Sequence, residues 1–414
     1  MLTRRTMIAT TAAALAGLTA RRARGASVAS PYGPLFVRQA DNSDVVLLML
    51  PRDFRYTVVA QTGVFLDDGN PAPPFPDGMA AFQVGDELRL VRNHEVRGVV
   101  PPLTTTPSMY DGSSGGGTTT IVVDPFTRSA RRTFVSLSGS STNCAGGATP
   151  WGSWITCEET TAGAGSGYSK PHGYCFEVPA AANGPVPAVP LRHLGRFVHE
   201  AAAVDPLTGI VYLTEDRERA GLYRCLPARP FELAAGGRLQ MLAVRGAPGY
   251  EAARGQTVGA RLPVTWVDID DPDPLSAEAN PGAVFDQGRA RGGAVFRRLE
   301  GARCADGSLF FISTTGGERS IGQVWELRTQ IAATRKRRAV GRGGWEGDLA
   351  LLFESESDDM TRMPDNVTLT PRGSLLLCED NPDANFLRVL TPHGDIFPLA
   401  RNVAPGFERT EFAG

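Results

Sequence analysis

Short apolar runs alternate with turns containing glycine or proline along most of the chain. Two examples are IVYLTED at residues 210–216 and LLLCED at residues 375–380, which follow turns and end on acidic residues. Apolar runs of this length between turn signals are typical of β-strands joined in hairpins. Long stretches of helical periodicity are missing from the sequence. The pattern therefore predicts an all-β fold.

Polar residues recur at one spacing across these hairpins. Because adjacent strands lie about 4.8 Å apart, two polar groups at the open end of a hairpin are expected side by side. Several hairpins around an axis would then bring a ring of carboxylates to one mouth. A weaker further copy ends at His94 and Glu95. The pairs that lie 15 positions apart around a glycine turn are Cys144 and Glu159, Glu200 and Glu215, Glu300 and Thr315, and Asp365 and Asp380.

The hairpins predict a β-propeller. Units of roughly 55 to 65 residues run from Glu95 to Glu159, from there to Glu215, and again from Thr315 to Asp380. Radial repetition of short sheets is the architecture of a propeller. The interval of 100 positions between Glu215 and Thr315 could hold an extra blade or an insertion. Six blades are the preferred count, with five or seven left open.

The N-terminal segment predicts export. Residues 1–29 begin with the pair Arg4 and Arg5, followed by a small-residue apolar run over residues 7–20. That run is too short to span a bilayer, which takes about 20 apolar residues. It resembles a twin-arginine signal, with an ordinary secretory signal as the alternative. We expect the twin-arginine export machinery as a partner, a periplasmic or secreted location, no stable membrane span, and one propeller domain over residues 30–414.

The net charge of the chain limits the classes of partner that it is expected to bind. The formal charge of −2 becomes −7 without the five arginines and no acids of residues 1–29. A net acidic chain gives no support for binding nucleic acid or an anionic membrane. We therefore expect no nucleic-acid binding.

The residue types at the predicted mouth indicate a mixed metal site. Cys144 lies in a glycine-rich bend that converges with Glu159, and Glu200 lies beside an alanine run that should be buried. A buried carboxylate needs a partner, and we favour a cation over an arginine here. Oxygen ligands suit calcium, whereas a thiolate calls for a softer metal such as iron or zinc. No HExxH or CxxC pattern is present, which argues against a common zinc centre.

Arg298 and Glu300 alternate along one predicted strand, so both side chains point to the same side. They could form a plain salt bridge. Alternatively, Arg298 could be held above a metal site to receive an anion.

A glycine-rich segment, a basic segment and three cysteines are interpreted as structural features without a direct role in function. The glycine-rich segment 111–120 lacks the lysine of a phosphate-binding loop and precedes a strand, so we interpret it as a turn. The basic segment 334–338 is interpreted as an exposed loop. Cys157, Cys225 and Cys378 lie in apolar runs and are expected to be buried free thiols.

Six separated blocks carry a family resemblance. In chain order they are NCAGGATPWGSW from Asn143, the pair Glu158 and Glu159, RFVHE ending at Glu200, YLTED ending at Asp216, RLEG from Arg298 to Gly301, and PDN from Pro364 together with CED ending at Asp380. This set resembles the PhoX-type alkaline phosphatases and covers most of the chain.

The resemblance implies a six-bladed propeller, twin-arginine export and hydrolysis of phosphate monoesters. It implies a cluster of iron (Fe3+) and calcium (Ca2+) ions near the axis, with Arg298 contacting the substrate phosphate. Clustered cations and Arg298 would together stabilise an in-line transition state. The sequence does not say which of two adjacent acids binds. The ligands implied are Cys144, Glu159, Glu200, Glu215, Glu300 and Glu379, with Asp216 and Asp380 as further candidates.

Two other functions remain open at the sequence level. A calcium-dependent propeller hydrolase acting on lactones or other small esters would use similar carboxylates without a thiolate. A non-catalytic binding propeller would keep the hairpins but would have no reason for so many acids at one mouth. Iron content and turnover of an aryl phosphate separate these alternatives from the phosphatase.

Overall fold

The computed structural model of the protein describes residues 25–305, 307–329 and 347–405. Residues 1–24 of the predicted export signal and the predicted loop 334–338 lie outside the described residues. The regular secondary structure of the described part is almost entirely β-strand, as the turn-bounded apolar runs predict.

The strands are β1 Leu35–Gln39, β2 Val46–Pro51, β3 Pro76–Val84, β4 Glu87–His94, β5 Gly116–Val123, β6 Ala130–Ser140, β7 Asn143–Ala148, β8 Ser153–Glu158, β9 Cys175–Pro179, β10 His199–Val204, β11 Val211–Glu215, β12 Leu222–Pro227, β13 Gly237–Val244, β14 Arg261–Asp268, β15 Leu299–Ala305, β16 Ser308–Ser313, β17 Gln323–Thr329, β18 Gly347–Glu354, β19 Pro364–Leu369, β20 Leu375–Glu379, β21 Phe386–Leu390 and β22 Ile396–Asn402. The α-helix α1 covers Ala283–Ala290, and short 3-10 turns cover Ala164–Ser166, Arg192–Leu194, Leu233–Ala235 and Leu275–Ala277.

The strands form antiparallel blades around an axis. The blades run outward as β3 to β6, β7 to β9, β10 to β13, β15 to β18, and β19 to β22. Their first strands contact one another in chain order, β3 with β7, β7 with β10, β10 with β15, and β15 with β19. Strands β1 and β2 extend the last blade through pairing of β2 with β22. The fold is a β-propeller.

The described residues form five blades, which is one of the counts left open by the sequence rather than the preferred six. The long interval between the third and fourth hairpins contains β14 and α1. Strand β14 pairs with β13 on one side and with β18 on the other. It therefore joins the outer edges of two neighbouring blades and does not begin another blade among the described residues.

The middle strands of the blades are buried on both faces. All six residues of β8 are buried, since the strand lies between β7 and β9 within its blade. Strand β5 reads GGTTTIVV and is also buried throughout. Its β-branched residues favour an extended backbone. The predicted turn over residues 111–120 is therefore only partly correct, because Gly116 already begins β5. A Cβ at Gly117 would lie 2.1 Å from the Leu137 carbonyl oxygen, so glycine permits the close approach of β6.

Across residues 25–305, 307–329 and 347–405, no helix has the length and apolar character needed to cross a bilayer.

The contact between β7 and β10 provides a test of the packing around the axis. A Cβ at Gly147 would lie 1.4 Å from the carbonyl oxygen of Ala202. We expect Gly147→Ala to push the two inner strands apart and to lower the free energy of unfolding by about 3 kcal/mol, as measured by denaturant titration. Gly184→Ala is the matched control, because a Cβ there meets nothing within 4 Å. Equal stability of the two variants would contradict this packing.

Candidate active site

The first strand of every blade bulges at the same position. In each first hairpin two residues of the inner strand lie opposite one residue of its partner. A bulge of this kind redirects a side chain relative to the regular pleat. The first bulged residues of the five blades are Asp77, Cys144, Glu200, Glu300 and Asp365.

A second set of equivalent positions follows the second strand of each blade. The backbone N–H of each donates to the carbonyl of the residue two positions before the bulged residue, at 2.9–3.1 Å. The hairpins differ in length, so the constant spacing of 15 is not kept in every blade. Of the predicted pairs, Glu215 lies one residue before the equivalent position and Thr315 lies one residue after it. The equivalent residues are Glu95, Glu159, Asp216, Thr314 and Asp380.

These positions bring potential metal ligands together. The ligand atoms of Glu200, Glu300 and Asp365 all lie within 4.8 Å of one another. Those of Glu95, Cys144 and Glu159 form a second group with the same spacing. Asp216 and Asp380 lie close enough to these groups to raise the pKa of Asp365. We call the following residues the axial cluster: Asp77, Glu95, Cys144, Glu159, Glu200, Asp216, Glu300, Asp365 and Asp380.

The carboxylates of the axial cluster are concentrated in the buried interior of the propeller. Glu200 is 1% exposed, and neither of its carboxylate oxygens has a hydrogen-bond partner among the described residues. Burial, and then the nearby Glu300 and Asp365 carboxylates, raise the pKa of Glu200 well above its ordinary range. Burial and the Asp365 carboxylate do the same for Glu300. An unpaired buried carboxylate is strongly unfavourable, so this arrangement favours either protons or bound cations.

Cys144 lies inside this charged environment. Its thiol lies close to the Asp77 carboxylate. Burial, followed by the neighbouring Asp77 and Glu200 carboxylates, raises the pKa of the thiol well above its usual value. A thiolate at this position therefore requires a compensating positive charge, which a metal ion supplies.

Arg298 lies against the axial cluster. Its Nε and Nη2 donate to the two carboxylate oxygens of Asp216, each at 2.9 Å. Nη2 also lies 3.0 Å from Oε1 of Glu300. The salt bridge with Glu300 expected as one alternative is present, and the planar fork of Arg298 is held by Asp216 as well. Both interactions place the guanidinium beside the candidate ligands.

Arg97 is a second arginine at the cluster, and sequence reasoning missed it. Its Nε donates to Oε1 of Glu95 at 2.8 Å, and its Nη2 lies 3.4 Å from Oε2 of Glu159. The alternation of Glu95 and Arg97 after β4 repeats the alternation of Arg298 and Glu300, which is the signal that could have revealed it.

The backbone beside the bulges is strained. A non-glycine residue has positive φ two positions before the bulged residue in four blades: Phe75 at 52°, Thr142 at 51°, Arg298 at 41° and Met363 at 50°. Residues other than glycine rarely adopt this backbone conformation, which costs about 1–3 kcal/mol per residue. Its recurrence at equivalent positions indicates that the blades impose it in order to aim the bulged side chains at the axis.

Acids at the last position of the second strands face away from the cluster. Oε2 of Glu215 accepts hydrogen bonds from the Gly221 N–H at 2.9 Å and the Tyr223 hydroxyl at 2.8 Å. Oε1 of Glu379 accepts a hydrogen bond from Arg388 Nε at 2.9 Å. Neither residue belongs to the two groups of converging ligand atoms. The structure therefore does not bring these two predicted ligands into the axial cluster.

Glu158, at the last position of β8, also bonds groups of a loop instead of joining the axial cluster. Its carboxylate accepts hydrogen bonds from the backbone N–H groups of Ser141, Gly173 and Tyr174 and contacts His172 Nδ1 at 2.6 Å. Adjacent strand residues point to opposite faces, so the next residue, Glu159, faces the axis. This alternation decides which member of each acidic pair reaches the cluster.

Asp77 and Asp365 belong to the cluster but were not among the predicted ligands. Asp365 was found by the spacing, whereas Asp77 lies in the proline-rich segment 71–78, whose composition is typical of a loop. In fact β3 begins at Pro76. The shared Pro-Asp dipeptide at 76–77 and 364–365 is the sequence signal that links the two positions.

Residues 117–412 match the sequence profile of the family described as Alkaline phosphatase PhoX. The chain belongs to this PhoX family. The resemblance predicted from six sequence blocks is thereby confirmed. Members of the PhoX family are metal-dependent phosphatases, so the predicted enzyme class is confirmed at this level.

A solved structure of a PhoX enzyme shares this fold. Pseudomonas fluorescens PhoX in complex with vanadate, a transition state analogue, has a TM-score of 0.62 at 16% identity, covering 89% of this chain and 89% of that chain. A putative 6-phosphogluconolactonase from Bacteroides uniformis has a TM-score of 0.36 at 10% identity, covering 92% and 96%. A Trichoderma reesei family AA12 enzyme has a TM-score of 0.40 at 10% identity, covering 93% and 99%. No curated protein matches the chain.

The raised carboxylate pKa values predict how stability depends on pH. Burial and the nearby Asp380 and Asp216 carboxylates raise the pKa of Asp365 to about 7. Because the unfolded chain has lower values, protons favour the folded state. The contribution of Asp365 is lost as pH rises from about 4 to about 7, and Glu200 and Glu300, whose pKa values burial raises well above the ordinary range, extend the loss to higher pH. The thermal midpoint of chelator-treated protein should therefore fall between about pH 7 and about pH 9. Burial lowers the pKa of His94 and His199, so neither is charged in this interval.

Added cations should reverse the effect, because they replace the protons and bind more tightly as the carboxylates ionise. Asp365→Asn should weaken the pH dependence of the chelated protein. A chelated protein that is equally stable or more stable at the higher pH would contradict the charge state assigned to the axial cluster.

Proposed function

We propose that the axial cluster is the active site of a phosphomonoesterase that uses iron (Fe3+) and calcium (Ca2+) and acts on small phosphate monoesters. The observation that supports it most is the buried Glu200 carboxylate without a hydrogen-bond partner, set among Glu300, Asp365 and Cys144. Membership of the PhoX family supplies the reaction class.

The donor set fits these ions. Several carboxylates within a few ångströms of one another suit calcium, which takes six to eight oxygen ligands. The Cys144 thiol beside them suits a softer metal such as iron. When bound, such ions would supply Lewis-acid charge for the phosphoryl oxygens. The proposed ligands are Cys144, Glu159, Glu200, Asp216, Glu300 and Asp380 from the sequence, together with Asp77, Glu95 and Asp365.

We assign a different role to the remaining predicted ligands. Glu215 and Glu379 would fix the loops that follow the second strands, through the N–H of Gly221 and the N–H of Phe386 respectively. These loops flank the mouth. The two acids would therefore act on the site only through its shape.

Arg298 would bind the substrate phosphate. Its Nε and Nη2 are used by Asp216 and Glu300, which leaves the N–H groups of Nη1 for a phosphate oxygen. The side chain is 31% exposed, so an incoming ester can reach it. Phosphoryl transfer spreads negative charge over the equatorial oxygens in the transition state. A guanidinium already oriented by Asp216 stabilises that charge without reorganising.

Iron separates this proposal from its alternatives. A calcium-dependent propeller hydrolase acting on lactones has no use for a thiol among the ligands. A non-catalytic binding propeller gives no reason for buried carboxylates that lack partners. The position of Cys144 within one of the two groups of ligand atoms favours the phosphatase over both.

Export and domain organisation complete the proposal. Residues 1–29 would direct the protein to the twin-arginine machinery and then to the periplasm or the medium, and residues 30–414 would form one propeller domain. The PhoX family is a family of exported enzymes. A signal that accepts folded passengers suits a protein whose metal site needs five blades in place.

Replacing Glu300 tests the metal site. Glu300→Gln removes one charge without changing size, so it should lower bound metal and reduce kcat/KM by about 100-fold or more. Elemental analysis and phosphate release measure both effects. Glu326→Gln is the control, because Glu326 is equally buried in the same blade but bonds Ser308 and Arg328. Full activity and full metal content in Glu300→Gln would exclude the assignment.

Replacing Arg298 tests the phosphate contact. Arg298→Ala should reduce kcat/KM by about 100- to 1000-fold while metal content stays unchanged. Arg298→Lys keeps the charge but loses the planar fork, so it should recover only part of the loss. Arg303→Ala, at an exposed position of the strand β15 that follows Arg298, should leave kinetics unchanged. The role is refuted if both Arg298 variants retain wild-type kinetics.

A further inference from the structure

Two cysteines face each other across the blade that carries Cys144. Cys157 on β8 and Cys175 on β9 are direct register partners. Their sulfur atoms lie 3.5 Å apart, and both residues are 0% exposed. Both are free thiols in the structure.

The pairing geometry permits a bond between them. The N–H of Glu158 donates to the Tyr174 carbonyl at 3.0 Å, so the adjacent pair of Cys157 and Cys175 is a non-hydrogen-bonded one. Consistent with this, the Cys175 carbonyl accepts from Leu191 at 2.9 Å, on the side away from β8. Cα atoms of such pairs lie about 4.5 Å apart, within the range of about 4.4–6.8 Å found for disulfides.

The surroundings of the pair differ from those of Cys144, Cys225 and Cys304. His199 Nε2 lies 3.0 Å from the Gly195 carbonyl and must donate to it, so Nδ1 accepts from the Cys175 thiol at 3.6 Å. Cys225 and Cys304 contact backbone carbonyls instead. Cys144 belongs to the axial cluster.

We propose that Cys157 and Cys175 form a disulfide when the protein meets a disulfide oxidant. Two S–H bonds break and one Sγ–Sγ bond forms, while the oxidant RS–SR accepts two electrons and two protons and leaves as two thiols. The reaction runs through a mixed disulfide on one cysteine, which the other then attacks. Because both sulfurs are buried, it takes place during folding or by local opening of β9, the outer strand of its blade.

The cross-link would secure one wall of the site. Cys157 is followed by Glu158 and by Glu159 of the axial cluster, and Cys175 follows the segment 172–174 that bonds the Glu158 carboxylate. Joining the two cysteines restricts the unfolded chain and thereby stabilises the folded state. The proposal does not depend on the catalytic assignment.

The test uses the full chain, folded and then incubated with excess oxidised glutathione, or with dithiothreitol as the reduced control. Each sample is quenched in acid, denatured and alkylated, and its intact mass and peptides are measured. The oxidised sample should carry two fewer alkyl groups and should yield a peptide linked through Cys157 and Cys175. Its thermal midpoint should be higher than that of the reduced sample.

Variants make the assignment specific. In Cys157→Ala and Cys175→Ala the thermal midpoint should no longer respond to reductant, whereas Cys225→Ala should still form the link and still respond. Wild-type protein that remains fully alkylated on all six cysteines after oxidation would overturn the proposal. So would a link that joins any other pair.

Discussion

Buried negative charge at the propeller axis is the constraint on which the rest of the structure depends. Glu200, Glu300 and Asp365 place three carboxylates within 4.8 Å of one another, away from water. Such a group folds only if protons, arginines or metal ions compensate it. Arg298 and Arg97 compensate at its edge, but Glu200 has no hydrogen-bond partner among the described residues. Bound cations would balance the carboxylate charge and would also serve the hydrolysis of phosphate esters.

The fold meets this constraint by repeating one local device. Each blade contributes a bulged inner residue and a residue just beyond its second strand, so five hairpins deliver two tiers of side chains to one mouth. Positive φ at four of the five equivalent positions shows that the backbone is strained to do so. Strain that recurs with the repeat is tolerated because the surrounding blades are tightly packed and buried.

The strands, the propeller and most axial side chains could be predicted from the sequence because glycine turns and terminal acids are local features. Which of two adjacent acids points to the axis could not be predicted, because a shift of one residue turns every side chain of a strand to the opposite face. Hence Glu215 was paired with Glu200, although Asp216 occupies the equivalent position. Asp77 was missed because the segment before it reads as loop. The blade count depends on the pairing of β14 with strands of two blades, and such long-range pairing cannot be derived from local sequence patterns.

The axial assignment also explains why the paired acids are not redundant. Glu158, Glu215 and Glu379 hold backbone N–H groups of the loops, and Glu159, Asp216 and Asp380 face the axis. One member of each pair therefore shapes the mouth while the other contributes charge to it. This division joins the stability of the blades to the chemistry of the site.

The most direct test is to measure iron and calcium in protein exported by its own host, alongside hydrolysis of an aryl phosphate by the same preparation. The account predicts both metals in the active protein, loss of activity when a chelator removes them, and recovery when both are restored. Calcium alone without phosphate release, or full turnover by protein free of metal, would contradict it.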